Sequence, residues 1–176
     1  SHSIGSLLEL SRLAAEAWKP DLQWAEPGEV LSWVLFRLDK TDRERVRVDL
    51  PEHLPLILVD FQQWGRLLMH LLENALSYSP AGSPVAVGAR STDEGFVTWI
   101  ADEGPGIPDE EKSRVFEKFF RGTFSNRLPG GTGLGLPIAM EIARVHEGSI
   151  SIEDNTPAGT RIVVRLPAAH VMETEE

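Results

Sequence analysis

Gly130-Gly131-Thr132-Gly133-Leu134-Gly135-Leu136-Pro137-Ile138-Ala139, residues 130–139, is the stretch from which the rest of this chain is read. Four glycines run into an apolar segment, and Pro137 stands where a helix tolerates proline, in its first turn. The pattern predicts a glycine loop opening a helix from Gly135 to Glu147, with Gly148 ending it. Backbone N–H groups in such a loop, reinforced by the helix dipole, bind phosphate without any cation. Two other glycine motifs fail on inspection. A P-loop ends Gly-Lys-Ser/Thr, whereas this loop ends Gly-Leu-Pro. A dinucleotide fingerprint needs glycine at 136 or 138, where Leu136 and Ile138 stand.

Three segments upstream supply the rest of a site. Asp60 is placed to cap a helix, with Gln63 completing a capping box. Trp64, Leu67, Leu68, Leu71, Leu72 and Ala75 form that helix's buried stripe. Arg66, His70, Asn74 and Ser77 share the opposite face, since they step by four and three residues. Next, Asp102 closes a strand before Gly104-Pro105-Gly106-Ile107. A carboxylate there can accept the adenine exocyclic amine, and the glycines let backbone approach the ring. Guanine carries a carbonyl at that position, and an ionised Asp102 would repel it. Finally, Val115 to Gly122 carries Phe116, Phe119 and Phe120, with Arg121 and Lys118 as candidate phosphate contacts. The segment Gly122 to Gly131 is polar and glycine-bearing, the composition of a mobile lid.

In this order the four segments resemble the N, G1, F and G2 boxes of a sensor histidine kinase's catalytic ATP-binding domain. The resemblance implies a Bergerat two-layer α/β sandwich binding ATP and Mg. It implies that Asn74 supplies an amide oxygen to the Mg and that Asn74 and Arg121 serve catalysis. The remaining nucleotide contacts it implies are His70, Ser77, Tyr78, Asp102, Gly104, Gly106, Ile107, Phe119, Gly131, Thr132, Gly133, Leu134 and Gly135. Two positions depart from the family pattern: His70 is usually a second asparagine, and Ser77 usually a lysine reaching the phosphates. Partners implied are a dimerisation domain carrying the phosphoacceptor histidine and a response regulator receiver domain. That histidine normally lies in a His-Glu or His-Asp pair on an earlier helix, and none precedes these segments. Self-phosphorylation is therefore not expected of this chain alone. Leu54-Pro55-Leu56-Ile57-Leu58-Val59-Asp60 and Leu71-Leu72-Glu73-Asn74-Ala75 look, more finely, like potassium-responsive Kdp-type sensor kinases. Two other readings stay open: a related ATPase of the gyrase and chaperone branch, and a degenerate module that only docks partners. That ATPase branch uses a glutamate base four residues before the metal asparagine, where His70 stands.

The rest of the chain frames the site. Its 176 residues allow one core-bearing domain. A net charge of −10 argues against nucleic acid as a partner. Absence of cysteine excludes disulfides and thiolate chemistry. No apolar run reaches the roughly 18 residues of a membrane span, so membrane attachment would lie in regions outside this chain. The start at Ser1-His2-Ser3 is expected to be a cut from something longer, a cytoplasmic part of a protein at a bacterial inner membrane. Apolar spacing predicts helices over Ile4–Trp18 and Gly28–Leu38, and strands over Val46–Leu50 and Leu56–Val59. Beyond the helix after Asp60 come strands Pro84–Arg90, Phe96–Ala101, Ser149–Glu153 and Thr160–Leu166. The order reads as α+β, with one mixed, mostly antiparallel sheet and helices on one face. Domain limits are expected at 1–19 for the end of a dimerisation helix, 20–168 for the ATP domain, and 169–176 for a flexible acidic tail.

Overall fold

A computed structural model describes residues 2–14, 19–122 and 133–175. Helix α1 (His2–Ala14) leads to strand β1 (Gln23–Ala25), then α2 (Pro27–Arg37), α3 (Lys40–Arg45), β2 (Val46–Asp49) and β3 (Leu56–Val59). The long helix α4 (Phe61–Tyr78) precedes a hairpin, β4 (Val85–Thr92) and β5 (Gly95–Ala101). Helix α5 (Gly135–Val145) is followed by β6 (Ser149–Asp154), β7 (Thr160–Pro167) and the short β8 (Val171–Met172).

The expected single sheet is two. Five strands run in the order β2-β4-β5-β7-β6, with β2 parallel to β4 and the other pairs antiparallel. A three-stranded antiparallel sheet, β1-β3-β8, forms separately. Its outer members are three and two residues long, too short to leave a period in the sequence. Strand β8 also corrects the domain limit: residues 168–170 form a 3-10 turn, and Val171 pairs with Ile57 inside the expected tail.

Helices α2, α4 and α5 cover one face of the larger sheet, as the apolar stripes predict. Val85, Val87, Ala89, Phe96, Ile100, Ile162 and Val164 point into that layer and meet Leu67, Leu71, Ile138 and Ile142. On the opposite face the register puts Gly88 beside Trp99 and Trp99 beside Val163. There the Arg161 guanidinium lies 4.5 Å from the Trp99 ring centroid, so side chains rather than a second layer shield the sheet.

Helix α3 was not legible, because Lys-Thr-Asp-Arg-Glu-Arg has no apolar face. It is capped by Asp39, whose Oδ1 accepts from Asp42 N–H at 2.8 Å. Its last residue, Arg45, reaches the end of α4. It donates to the carbonyls of Leu76 (3.1 Å), Ser83 (2.9 Å) and Pro80 (3.2 Å) and to Ser79 Oγ (2.6 Å). Helix α1 matches its expected span as far as Ala14, and residues 15–18 lie outside the described part. Among the described residues no helix is long and apolar enough to cross a membrane.

Candidate nucleotide site

Helix α4 carries the central residues. Asp60 caps it as expected, with Oδ1 accepting from Gln63 N–H at 3.1 Å. The reciprocal half of the capping box does not form. The Asp60 N–H donates instead to His146 Nε2 at 3.0 Å, and Gln63 Oε1 is buried with no partner among the described residues. On the polar face His70, Asn74 and Tyr78 are partly buried, while Arg66, Glu73 and Ser77 are exposed. The Asn74 amide bonds to no described residue, which leaves its oxygen available to a ligand.

Helix α5 brings the glycine loop to this face. A side chain at Gly135 would meet His70 Nδ1 at 3.7 Å, so the N-terminus of α5 lies against the stripe that holds Asn74. Leu134 is fully buried and anchors the loop, its carbonyl accepting from Ile138 N–H at 3.0 Å. Gly131, Thr132 and the proposed lid between residues 123 and 131 lie outside the described part.

Asp102 follows β5 and is 4% exposed. Its Oδ1 accepts from the N–H groups of Gly104 (2.8 Å) and Thr160 (3.3 Å). Burial pushes its carboxyl above the ordinary aspartate value, and those two N–H bonds hold the rise back. Both bonds fall on Oδ1, so Oδ2 remains for an incoming donor. Gly104 also abuts the Tyr78 carbonyl, 2.9 Å from where a Cβ would stand. The structure thus joins the Asp102 turn to the end of α4. Gly106 and Ile107 are partly buried beside it.

Three residues behind Asp102 were not singled out from sequence. Asn155 Nδ2 donates to the Asp102 carbonyl at 2.8 Å, and Asp102 N–H donates to the Thr160 carbonyl at 2.9 Å. Gly159, at φ +104, passes so close that a Cβ there would overlap the Asp102 carbonyl oxygen. The segment Asn155 to Gly159 reads as a plain turn, and only its place beside β5 reveals the support it gives.

The three phenylalanines divide. Phe116 packs against the core, Phe120 sits under the Arg114 guanidinium at 4.6 Å, and Phe119 is 58% exposed. Phe119 N–H donates to the Gly133 carbonyl at 3.0 Å. Gly133 has φ +71, and a Cβ there would meet Phe119 backbone carbon at 2.7 Å. The aromatic and glycine segments are therefore joined by backbone, with Phe119 itself turned outward. Arg121 is partly buried.

His146 ends α5, where the helix dipole favours a cation, yet its surroundings hold it neutral. It is fully buried, Nδ1 donates to the Ile142 carbonyl at 2.7 Å, and Nε2 accepts from Asp60. A backbone N–H can only donate, so Nε2 is unprotonated and the ring is neutral. Burial lowers its pKa, against the pull of the Ile142 carbonyl and the charge of Asp60.

A buried carboxylate with one free oxygen at one end of α4, and a glycine loop opening a helix against the same polar face, suit a purine nucleotide. Comparison with known proteins agrees. Residues 59–170 match the family model of histidine kinase-, DNA gyrase B- and HSP90-like ATPases. The chain is 32% identical to the sensor protein KdpD of Escherichia coli strain K12 over 98% of its own length and 19% of that protein's. It is 35% identical to the sensor-like histidine kinase SenX3 of Mycobacterium tuberculosis H37Rv, over 94% of this chain and 41% of that one. The resemblance to KdpD thus stands beside a comparable one to SenX3. The solved structure of the mycobacterial sensor histidine kinase MprB superposes with TM-score 0.74 at 31% identity, over 86% of this chain and all of that one. Full-length ShkA in complex with AMPPNP superposes with TM-score 0.82 at 22% identity, over 99% of this chain and 36% of that chain, a likeness of fold. This chain belongs to the histidine kinase-, DNA gyrase B- and HSP90-like ATPase family, and within it to the catalytic ATP-binding domains of sensor histidine kinases.

Proposed function

We propose that this domain holds Mg-ATP with its γ-phosphate outward and presents it to a histidine on a separate dimerisation domain. The imidazole nitrogen would form a P–N bond as the bond from the γ-phosphorus to the bridging oxygen breaks, with ADP leaving. Asp102 Oδ2 takes the adenine amine, while Gly104 N–H and Thr160 N–H fix that carboxylate in place. The backbone N–H groups at the start of α5, with Arg121, meet the phosphates. Mg bound with the nucleotide would neutralise triphosphate charge, and Asn74 would hold it through its amide oxygen. The fit is that of a shared ion. Among the described residues no cluster of acidic or histidine side chains could cage a metal, so phosphate and water oxygens must supply most ligands. Catalysis is then positioning and charge neutralisation rather than covalent work by this chain.

The whole protein's role follows the same reading: a sensor kinase at a bacterial inner membrane, its phosphohistidine passing the group to a response regulator. Residues 1–19 would be the end of its dimerisation helix. His70 stands where hydrolytic relatives would need a carboxylate base, so sustained ATP hydrolysis is not expected.

The observation that carries the proposal is Asp102, buried, backbone-fixed and with one oxygen unspent. The test is calorimetric titration with ADP and a non-hydrolysable ATP analogue, with and without Mg. Adenine-selective, saturable binding lost in Asp102→Ala is expected. No heat at ligand concentrations up to about millimolar, where binding is worth only about −4 kcal/mol, would overturn it.

A further inference from the structure

Helix α1 presents apolar side chains outward: Ile4, Leu7 and Leu8 are 61%, 43% and 67% exposed. Among its described side chains, Glu9 is turned toward α4 and is 13% exposed. Glu9 Oε1 lies 3.3 Å from Arg66 Nη1, and Oε2 lies 3.6 Å from His70 Nε2. Burial works to raise its carboxyl pKa, yet the His70 and Arg66 side chains beside it bring it below the ordinary glutamate value. Helix α1 therefore delivers an anion onto the polar face of α4, beside the start of α5.

That placement opposes a nucleotide in two ways. It sets a carboxylate oxygen 3.6 Å from His70 Nε2, one turn before Asn74. It also sets a negative charge next to the N–H groups that the triphosphate needs, where like charges at short range repel. The attachment is also weak by construction. The ion pair is open to water on the Arg66 side, which is 49% exposed, and such a pair contributes little.

We propose that α1 is a removable cover over the phosphate end of the nucleotide site, latched by Glu9 onto His70 and Arg66. The inference rests on the ATP reading of the site. Mg-nucleotide and the Glu9 latch compete for one face, so each weakens the other by the same factor. The contact makes the preceding helix part of the site's control.

The test uses the full chain, titrated with Mg-ADP, together with amide hydrogen exchange over residues 2–14. Glu9→Gln removes the charge and keeps the shape, and is expected to tighten Mg-ADP about three- to tenfold by abolishing a closed population. Reciprocally, Mg-ADP should speed exchange in α1 of the wild type, and α1 of Glu9→Gln should exchange fast without ligand. Wild type and Glu9→Gln binding equally, or α1 exchange indifferent to bound Mg-ADP, would sink the cover while leaving the site intact. Failure of both proteins to bind would sink the site reading and the cover with it.

Discussion

Asp102 and His146 are both buried, and burial moves their titrations in opposite senses because it disfavours the charged form of each. For Asp102 the cost of holding an anion is offset by two backbone donors, and an adenine amine would be a third. For His146 the outcome is a neutral ring that ties α5 to the start of α4 through Asp60 N–H, packed 5.3 Å from the Trp64 ring. The neutral ring makes stability depend on pH. With the folded pKa below 6.5, the unfolded chain binds the extra proton first as pH falls. His146 therefore contributes its full stability above the unfolded value and loses it as pH drops from about 6.5 through the depressed folded value. Asp102, raised by burial, acts in the opposite direction. Urea unfolding should show the wild type losing stability as the pH is taken down from about 7.5 through the ordinary histidine value. His146→Gln, which can accept from Asp60 N–H without titrating, should be less stable at the upper pH but have a flatter profile. Parallel profiles would assign the acid sensitivity elsewhere.

At the scale of elements, α4 depends on a residue with no apparent function. Arg45 donates to four oxygens around the end of α4 and the turn after it, and its side chain is 12% exposed. Removing it leaves helix-end carbonyls short of donors in a place water reaches poorly. Arg45→Ala is expected to cost about 2–4 kcal/mol, and Arg45→Lys to restore less than half, because one ammonium cannot reproduce a planar fork. Equilibrium unfolding measures both; a loss below about 0.5 kcal/mol would show that the clamp is dispensable. Arg45 also marks the limit of what sequence gives away. Helices α2, α4 and α5 were legible because apolar residues recur with their period, and Asp60 because a cap has local chemistry. The boxes were legible because glycine, carboxylate and amide stand at fixed local spacing. Arg45, Asn155 and Gly159 act across chain separations such as 53 residues for Asn155 and Asp102, and no local period encodes them. The split into two sheets was hidden for the same reason, since β1 and β8 exist only by pairing with β3.

At the scale of the whole molecule, the nucleotide site and the group it would phosphorylate belong to different parts. The chain's one His-Glu pair, His146-Glu147, cannot serve: the imidazole is fully buried, with both nitrogens bonded to backbone. His170 is buried as well, and His70 is partly buried against Glu9. Exposed His53 lies between β2 and β3, outside any helix that could present it along a dimer seam. The domain is therefore expected to bind ATP and keep its γ-phosphate until another surface brings a histidine within in-line reach, since positioning supplies most of the rate. Incubation of the pure chain with labelled ATP and Mg should yield no acid-labile phosphate. Adding a dimerisation domain with an exposed His-Glu pair should yield label on that domain alone, and none when its histidine is replaced by alanine. Label appearing on this chain would overturn the division of labour. Glu9→Gln should speed the transfer in trans if α1 covers the phosphates, which makes the same mixture a second reading of that contact.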